Sequence, residues 1–197
     1  SRFLSGDTEM WLKKQDKEAL IRMDAKGTLP LPVLGYVEWN SISALPKKMY
    51  RWKRFKIAGA KVFIDGALGS GGAALREPYG DDGANSGLLQ ADRKAIREIF
   101  KEAAKNGWKL AFHAIGDRAL EEFLCAFEKE GEPGTSIRLE HLQVTPPDLL
   151  ERLKRADVAV SLQPCHFISD RMWAPVKLGK ERFGYSYMLK TLLKRGK

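Results

Sequence analysis

The sequence predicts an α/β fold, and three observations support this class. Five short apolar runs rich in Val, Ile, Leu and Phe have the length of buried strands. Segments whose apolar residues recur every three or four positions, as on one face of a helix, separate the later runs. The spacing between those runs leaves room for a helix of about three turns and short loops. Strands that alternate with helices in this way pair in parallel.

The predicted strands are, in order, Leu31–Val37, Ala60–Ile64, Leu110–His113, Ile137–Leu142 and Val158–Leu162. The predicted helices are Ala91–Lys105, Asp117–Glu130, Leu149–Arg155 and Tyr187–Leu193. The apolar face of the first helix consists of Ile96, Ile99, Phe100 and Ala103, and that of the second of Leu120, Phe123, Leu124 and Phe127. Asp117 is the predicted N-cap of the second helix, and Gly131 ends it.

Two α/β architectures, the doubly wound sheet and the (β/α)8 barrel, fit this pattern equally well. Residues 194–196 have the composition of a helix end, and no strand follows them. Five strands would form about two thirds of a barrel of typically ~250 residues. We therefore expect a partial TIM (β/α)8 barrel of about five consecutive βα units.

Composition excludes several classes of protein. The chain carries 34 Lys and Arg against 25 Asp and Glu, a net charge of +9, and 44% of its 197 residues are hydrophobic. Such a chain is neither a disordered tail nor a disulfide-stabilised miniprotein. No apolar run approaches the ~18 residues of a membrane span, and the first residues do not resemble a signal peptide. We expect a cytoplasmic protein without membrane association, in which the distant Cys125 and Cys165 are free thiols.

A lysine and two histidines stand at informative strand positions. Alternation along a strand puts Lys61 on one face with Phe63 and Asp65. Such a lysine either extends its amine to solvent or is neutralised or coordinated, and the segment alone favours neither. His113 and His141 end successive predicted strands. Both imidazoles should therefore lie at the carboxyl edge of the sheet, as metal ligands or as acid–base groups.

Three further features lie near these residues in the sequence, and two of them have alternative interpretations. Arg138 and Glu140 alternate with His141 and are expected to face the helical layer, where they can pair. The glycine-rich residues 65–75 lack the spacing of phosphate-binding motifs and fit a structural turn or an active-site lid. His166 follows the last predicted strand and fits either the same edge as the other histidines or a surface loop.

A basic segment supports a different class of function. Residues 47–56 interleave six cationic side chains with Tyr50, Trp52 and Phe55. Cations contact phosphates and aromatic rings stack on bases, so a nucleic-acid-binding module is the alternative function. Because most charge runs are solvated surfaces, nucleic acid is the lesser expectation.

Four segments, in order along the chain, resemble the YtcJ-like branch of the amidohydrolase superfamily (amidohydrolase family 3). They are Lys61–Ser70, His113–Ala119, Arg138–His141 and Gln163–His166, and the match is extended by Asp170, Trp173 and Leu178–Arg182. The resemblance implies a (β/α)8 barrel with one or two divalent metals, commonly zinc. It also implies hydrolysis of carbon–nitrogen bonds, of the non-peptide amide type, in small-molecule substrates through metal-activated water.

The resemblance further implies roles for individual residues. Lys61 matches the fourth-strand lysine, which such enzymes often carboxylate to bridge their metals. His113 and His141 match the metal ligands of the fifth and sixth strands. The residues expected to border the substrate are Gly69, Ser70 and His166. Asp117 is expected to cap its helix rather than to react.

The chain departs from the family pattern in two places. The family has an HxH pair on its first strand and an Asp on its eighth, whereas this chain has three histidines, none of them in an HxH pair. We expect residues 1–197 to be an incomplete barrel domain without its N-terminal and C-terminal units. Such a chain should be inactive on its own and able to self-associate through open sheet edges. Asp170 and Arg182 are expected to brace the loop near the substrate.

Overall fold

Six parallel strands form one sheet in the computed structural model, which describes residues 8–12, 14–44, 53–130 and 134–194. The strands are β1 (Thr8–Leu12), β2 (Val33–Glu38), β3 (Phe55–Phe63), β4 (Lys109–Ala114), β5 (Ile137–His141) and β6 (Ala159–Ser161). Each strand pairs with the next one in sequence. A doubly wound sheet reverses its strand order at a switch point, whereas a barrel does not. The order therefore confirms the predicted α/β class and partial barrel.

Seven α-helices and one 3-10 helix accompany the sheet within the described ranges. They are α1 (Lys14–Ala25), the 3-10 helix (Trp39–Ala44), α2 (Arg93–Asn106), α3 (Asp117–Glu130), α4 (Pro147–Arg155), α5 (Pro164–Asp170), α6 (Ala174–Gly184) and α7 (Leu189–Lys194). The predicted apolar faces of α2 and α3 are buried against the sheet. No helix in the described part of the chain is long and apolar enough to cross a membrane.

All five predicted strands are present, whereas β1 and α1 were not predicted. β1 has only five residues, and six of the twelve residues of α1 are charged. Neither segment therefore has a strong hydrophobic period. Asp117 is also not the N-cap but the first residue of α3, because the carbonyl of Gly116 already accepts from the N–H of Leu120. The predicted helix end at Gly131 lies outside the described residues.

A bulge in β3 decides which way its side chains face. Phe55 and Ile57 pack on the side of α1. The pairing with β2 then shifts by one residue, and beyond the shift Ala60 and Val62 pack against α2 and α3. The shift therefore turns Lys61 away from the helices, onto the face that we call the inner face. A β-bulge changes the direction of a side chain in this way because strand alternation has a period of two.

The turn from β4 into α3 passes directly beneath the glycine-rich loop. A Cβ atom on Gly116 would overlap the carbonyl group of Ala74. We expect Gly116→Ala to lower the free energy of unfolding by about 3 kcal/mol, because one of the two backbone segments must move. Urea denaturation measures the change. Gly83→Ala is the matched control, since a Cβ there meets open space; equal stability of the two variants would contradict the close approach.

Candidate metal centre

Lys61 is buried on the inner face of β3, with 4% of its surface exposed. Its amine contacts the carboxylate of Glu140 on β5 and lies 5.4 Å from the centre of the Phe63 ring. Burial lowers the pKa of Lys61 to about 8. The amine is therefore paired with the Glu140 carboxylate inside the protein and does not extend to solvent.

Arg138 and Glu140 do not face the helical layer, so that prediction was wrong. Arg138 donates to Oε1 of Glu140 at 2.7 Å, and its guanidinium lies 4.8 Å from the ring of Tyr36 on β2. Glu140 at the same time contacts Lys61. The register of β5 sets this arrangement, because it places Glu140 beside His113 on the inner face. The inner face thus carries two cations around one carboxylate.

His141 reaches the inner face through an unusual backbone conformation. Ile137 and Leu139 pack against the helices, and simple alternation would send His141 the same way. Instead His141 has φ of 78° and Leu142 has φ of 47°. This left-handed backbone is rare for residues other than glycine and often occurs at functional sites. The His141 ring lies 4.5 Å from that of His113, centre to centre.

Both imidazoles are held in the neutral form. Burial lowers the pKa of His113 to about 4 and that of His141 to about 3, and the amine of Lys61 adds to both shifts. Nε2 of His113 lies 3.3 Å from the carbonyl oxygen of Gly66. A carbonyl only accepts, so Nε2 carries the proton and Nδ1 keeps a lone pair. In His141, Nδ1 lies 2.6 Å from Oε1 of Gln163, which leaves the lone pair on Nε2.

Asp65 fixes the loop that follows β3. Its carboxylate is fully buried and accepts from the N–H groups of Ala74, Ile115 and Gly116 at 3.0, 3.0 and 2.8 Å. Burial raises the pKa of Asp65 to about 7, although the three hydrogen bonds oppose the shift. Oδ1 also lies 3.6 Å from Nε2 of His113. One side chain therefore joins the glycine-rich loop to the loop that follows β4.

The glycine-rich residues 65–75 form a turn whose amides are used internally. The N–H of Gly66 donates to Gly72 O, and the N–H of Gly72 donates to Ala67 O. A phosphate-binding loop would direct such amides towards a ligand. Gly69 and Ser70 are exposed; Gly69 lies against the Trp173 ring, and Ser70 donates to Ala67 O. Their role beside a substrate stays a prediction.

His166 lies with the other histidines. Its ring stacks on that of His141 with 5.7 Å between centres. Its Nδ1 is 3.1 Å from Nε2 of Gln143. Roles for Gln143 and Gln163 were not predicted, although Gln163 begins one of the four matching segments and each glutamine stands two residues beyond the last residue of its strand. In parallel α/β barrels, polar residues at that position line the site, and this was the available signal.

Asp117 and Arg182 each hold a loop in place through hydrogen bonds to backbone groups. Asp117 accepts from the backbone N–H of Arg76 at 2.9 Å, so it ties the end of the glycine-rich loop to α3. Arg182 donates to the carbonyl oxygens of Glu77 and Leu178 at 2.8 and 2.6 Å. The expected bracing role of Arg182 agrees with these contacts.

Most of the basic segment over residues 47–56 lies outside the described residues, namely 47–52. Lys53 and Arg54 are exposed. Phe55, in contrast, is 1% exposed and packs in the core beside α1. One of the three aromatic rings of the predicted nucleic-acid surface is therefore unable to stack on a base.

The residues at this edge fit a cation only if Lys61 takes part. No group of three or more His, Cys, Asp or Glu side chains within the described ranges is arranged to hold a metal. His113 and His141 supply two neutral imidazoles with one lone pair each. Lys61 becomes a donor once its amine is deprotonated or carboxylated, and its lowered pKa makes the neutral amine more accessible than in an exposed lysine. Two imidazoles and such a group form a donor set that suits zinc.

Comparisons with known proteins identify a family and similar solved structures. The sequence pattern of the amidohydrolase family matches residues 4–197. YtcJ of Bacillus subtilis (strain 168), a protein assigned as an amidohydrolase, is 38% identical over 155 residues, which are 74% of this chain and 29% of YtcJ. Crystal structures of uncharacterized metal-dependent hydrolases from Pyrococcus furiosus and Pyrococcus horikoshii OT3 give TM-scores of 0.84 and 0.81 at 34% identity. They cover 95% and 98% of this chain, which spans 39% and 38% of theirs.

Proposed function

The chain belongs to the amidohydrolase family, and we propose that Lys61, His113 and His141 are ligands of a divalent metal in a hydrolase for small-molecule amides. One observation carries this proposal. Two neutral imidazoles, 4.5 Å apart, meet at the carboxyl edge of a parallel sheet, and Phe63 contacts both His113 and the buried Lys61. In barrel enzymes this edge is where chemistry takes place. The family and the names of its relatives support the hydrolase class and the carbon–nitrogen bond.

Carboxylation of Lys61 is the second part of the proposal. Only a neutral amine combines with carbon dioxide, and burial lowers the pKa of Lys61 enough to make that form accessible near neutral pH. The product is an anion that would stand beside the carboxylate of Glu140. Two adjacent anions repel each other; Arg138, which already donates to Glu140, offsets one of the two negative charges, and a bound metal would offset the other. We therefore expect carboxylation to depend on bound metal, and zinc to be the metal that the imidazoles favour.

The chain's own residues prepare the site for this cation. Gly66 and Gln163 hold the imidazoles in fixed tautomers, which leaves one lone pair on each ring. Such outer partners orient metal ligands and raise their basicity. When bound, a divalent cation supplies Lewis acidity and lowers the pKa of water towards ~7. The substrate would lie above the strand ends, next to His166.

The isolated 197-residue chain is expected to be inactive. It contains no HxH pair, which the family uses on its first strand. With zinc added, we expect the chain to release 4-nitroaniline from 4-nitroacetanilide no faster than zinc does without the protein. Adding, in cis or in trans, barrel units that carry the HxH pair and the eighth-strand Asp should give metal-dependent turnover, and His113→Ala in the completed protein should abolish it. Turnover by the isolated chain would contradict the expectation.

The proposal also covers self-association of the chain, its substrate class and its cellular location. In the described part of the chain, the outer edges of β1 and β6 pair with no further strand. Open edges of this kind support self-association of the isolated chain. A small-molecule substrate and a cytoplasmic location stay predictions.

A further inference from the structure

A chain of hydrogen bonds runs beside the candidate metal centre, from Tyr187 to His166. The hydroxyl of Tyr187 donates to Oδ2 of Asp170 at 2.8 Å. Nε2 of Gln143 lies 3.4 Å from the same Oδ2 and 3.1 Å from Nδ1 of His166. The ring of His166 is nearly parallel to that of His141, with 17° between their planes. The metal centre proposed above uses none of the first three residues.

The direction of each hydrogen bond follows from the one before it. The carboxylate of Asp170 accepts from the hydroxyls of Tyr187 and Ser169, at 2.8 and 2.6 Å. A carboxylate has only acceptors, so the amide nitrogen of Gln143, and not its oxygen, must face Asp170. The second hydrogen of that nitrogen then points at Nδ1 of His166.

Asp170 keeps Gln143 in this orientation although the amide oxygen of Gln143 is left unpaired. Gln143 is 5% exposed, and its Oε1 is buried without a hydrogen-bond partner among the described residues. An unsatisfied buried acceptor costs about 1–3 kcal/mol. The reversed amide would set two oxygens against each other and turn its nitrogen away from both acceptors. The amide therefore keeps the orientation that serves Asp170 and His166.

Two stacked histidines consequently carry their protons on opposite nitrogens. Nδ1 of His166 accepts from Gln143, so the proton of its neutral ring is on Nε2. In His141 the proton is on the other nitrogen, Nδ1. Nε2 of Gln163 donates to the carbonyl of Ser161 at 3.2 Å, which turns Oε1 of Gln163 towards Nδ1 of His141. His141 thus offers a lone pair on Nε2, whereas His166 offers an N–H.

We propose that His166 donates a hydrogen bond from Nε2 to an oxygen of the substrate's acyl group and does not bind the metal. Gln143 is its positioning residue, and Asp170 and Tyr187 hold Gln143. The inference rests on the proposed function for the position of the substrate beside His141. The ligand class is a compound with a carbonyl or carboxylate oxygen, because both accept a hydrogen bond from an N–H, and the oxygen of an acyl carbonyl also develops negative charge during hydrolysis.

Histidine nitrogen NMR tests the tautomers directly. The chain has three histidines, so 15N-labelled imidazoles can be assigned by His113→Gln and His166→Gln. We expect the proton of His166 on Nε2 and that of His141 on Nδ1. The tautomers are read on the wild-type chain, and a wild-type His166 with its proton on Nδ1 would overturn the inference.

Two glutamine variants form a matched pair. Gln143→Leu keeps the side-chain volume and should release His166 into a mixture of tautomers while His141 keeps its proton on Nδ1. Gln163→Leu should do the reverse. A purely structural role for Gln143 would leave the tautomer of His166 unchanged in Gln143→Leu, and that result would overturn its positioning role.

Titration with zinc and then with acetate separates this inference from the proposed function. Zinc is expected to shift Nε2 of His141 and to leave Nε2 of His166 protonated; coordination by Nε2 of His166 overturns the donor role. Acetate, added as the probe for an acyl oxygen, is expected to shift the Nε2–H proton of His166 in the wild type and not in Gln143→Leu. No shift with acetate overturns the substrate contact. If zinc perturbs neither His113 nor His141, the proposed function fails while the tautomer assignment stands.

Discussion

His141→Ala is expected to lower the zinc affinity of the chain by at least about 100-fold. Loss of an outer partner of a metal ligand typically costs about 10–100-fold, and removal of the ligand itself should cost no less. His141 offers a lone pair that Gln163 keeps free on Nε2. Competition with a chromophoric zinc chelator measures the affinity, and elemental analysis measures the bound metal.

The chain offers good controls for this experiment. All variants should carry Cys165→Ser, because the exposed thiol of Cys165 can bind zinc by itself. Gln163→Leu should lower the affinity by about 10–100-fold, since it removes only the outer partner. His166→Gln should leave it unchanged. If His141→Ala binds zinc as tightly as the parent chain, the metal centre is not where we place it.

Asp65→Asn is expected to lower the free energy of unfolding by about 2–5 kcal/mol, because each buried N–H donor left without an acceptor costs about 1–3 kcal/mol. The carboxylate accepts three backbone N–H bonds at the meeting point of two loops. An asparagine has one acceptor oxygen and would set its own N–H groups against those of the backbone. Urea denaturation measures the loss, and faster hydrogen exchange at Ala74, Ile115 and Gly116 should locate it.

Asp92→Asn is the matched control for this substitution. Asp92 is the N-cap of α2 and accepts from the N–H of Ala95 at 2.8 Å on the protein surface. Asn caps helices about as well as Asp does, so the loss should stay below about 1 kcal/mol. Equal losses at the two positions would show that the buried network of Asp65 adds nothing special to stability.

The amphipathic helices were predictable because their buried residues recur every three or four positions along the sequence. The apolar faces of α2 and α3 are those that the three- and four-residue period indicated. β1 and α1 were not predictable, since a short strand and a highly charged helix take their stability from neighbours. The choice between barrel and doubly wound sheet also depended on which strands pair, and local spacing carries no such information.

The residues of the candidate site were likewise predictable only in part. His113, His141 and His166 were identified because they follow or end apolar runs, and parallel strands bring such positions to one edge. The partner of Lys61 was not identified, because Glu140 was assigned to the wrong face. Strict alternation along the strand places Glu140 opposite His141, and the left-handed backbone of His141 breaks that alternation.

The sequence by itself determined the α/β class, most strands and helices, the family resemblance and the strand-end positions of the site residues. All of these depend on residue type and on periods of two or 3.6, which act within a few residues. The tertiary structure alone decided the orientations: the bulge that turns Lys61 inward, the pairing of Lys61 with Glu140, and the opposite tautomers of His141 and His166. Each of these results from contacts between segments that are distant in the chain, and a local pattern contains no record of such contacts.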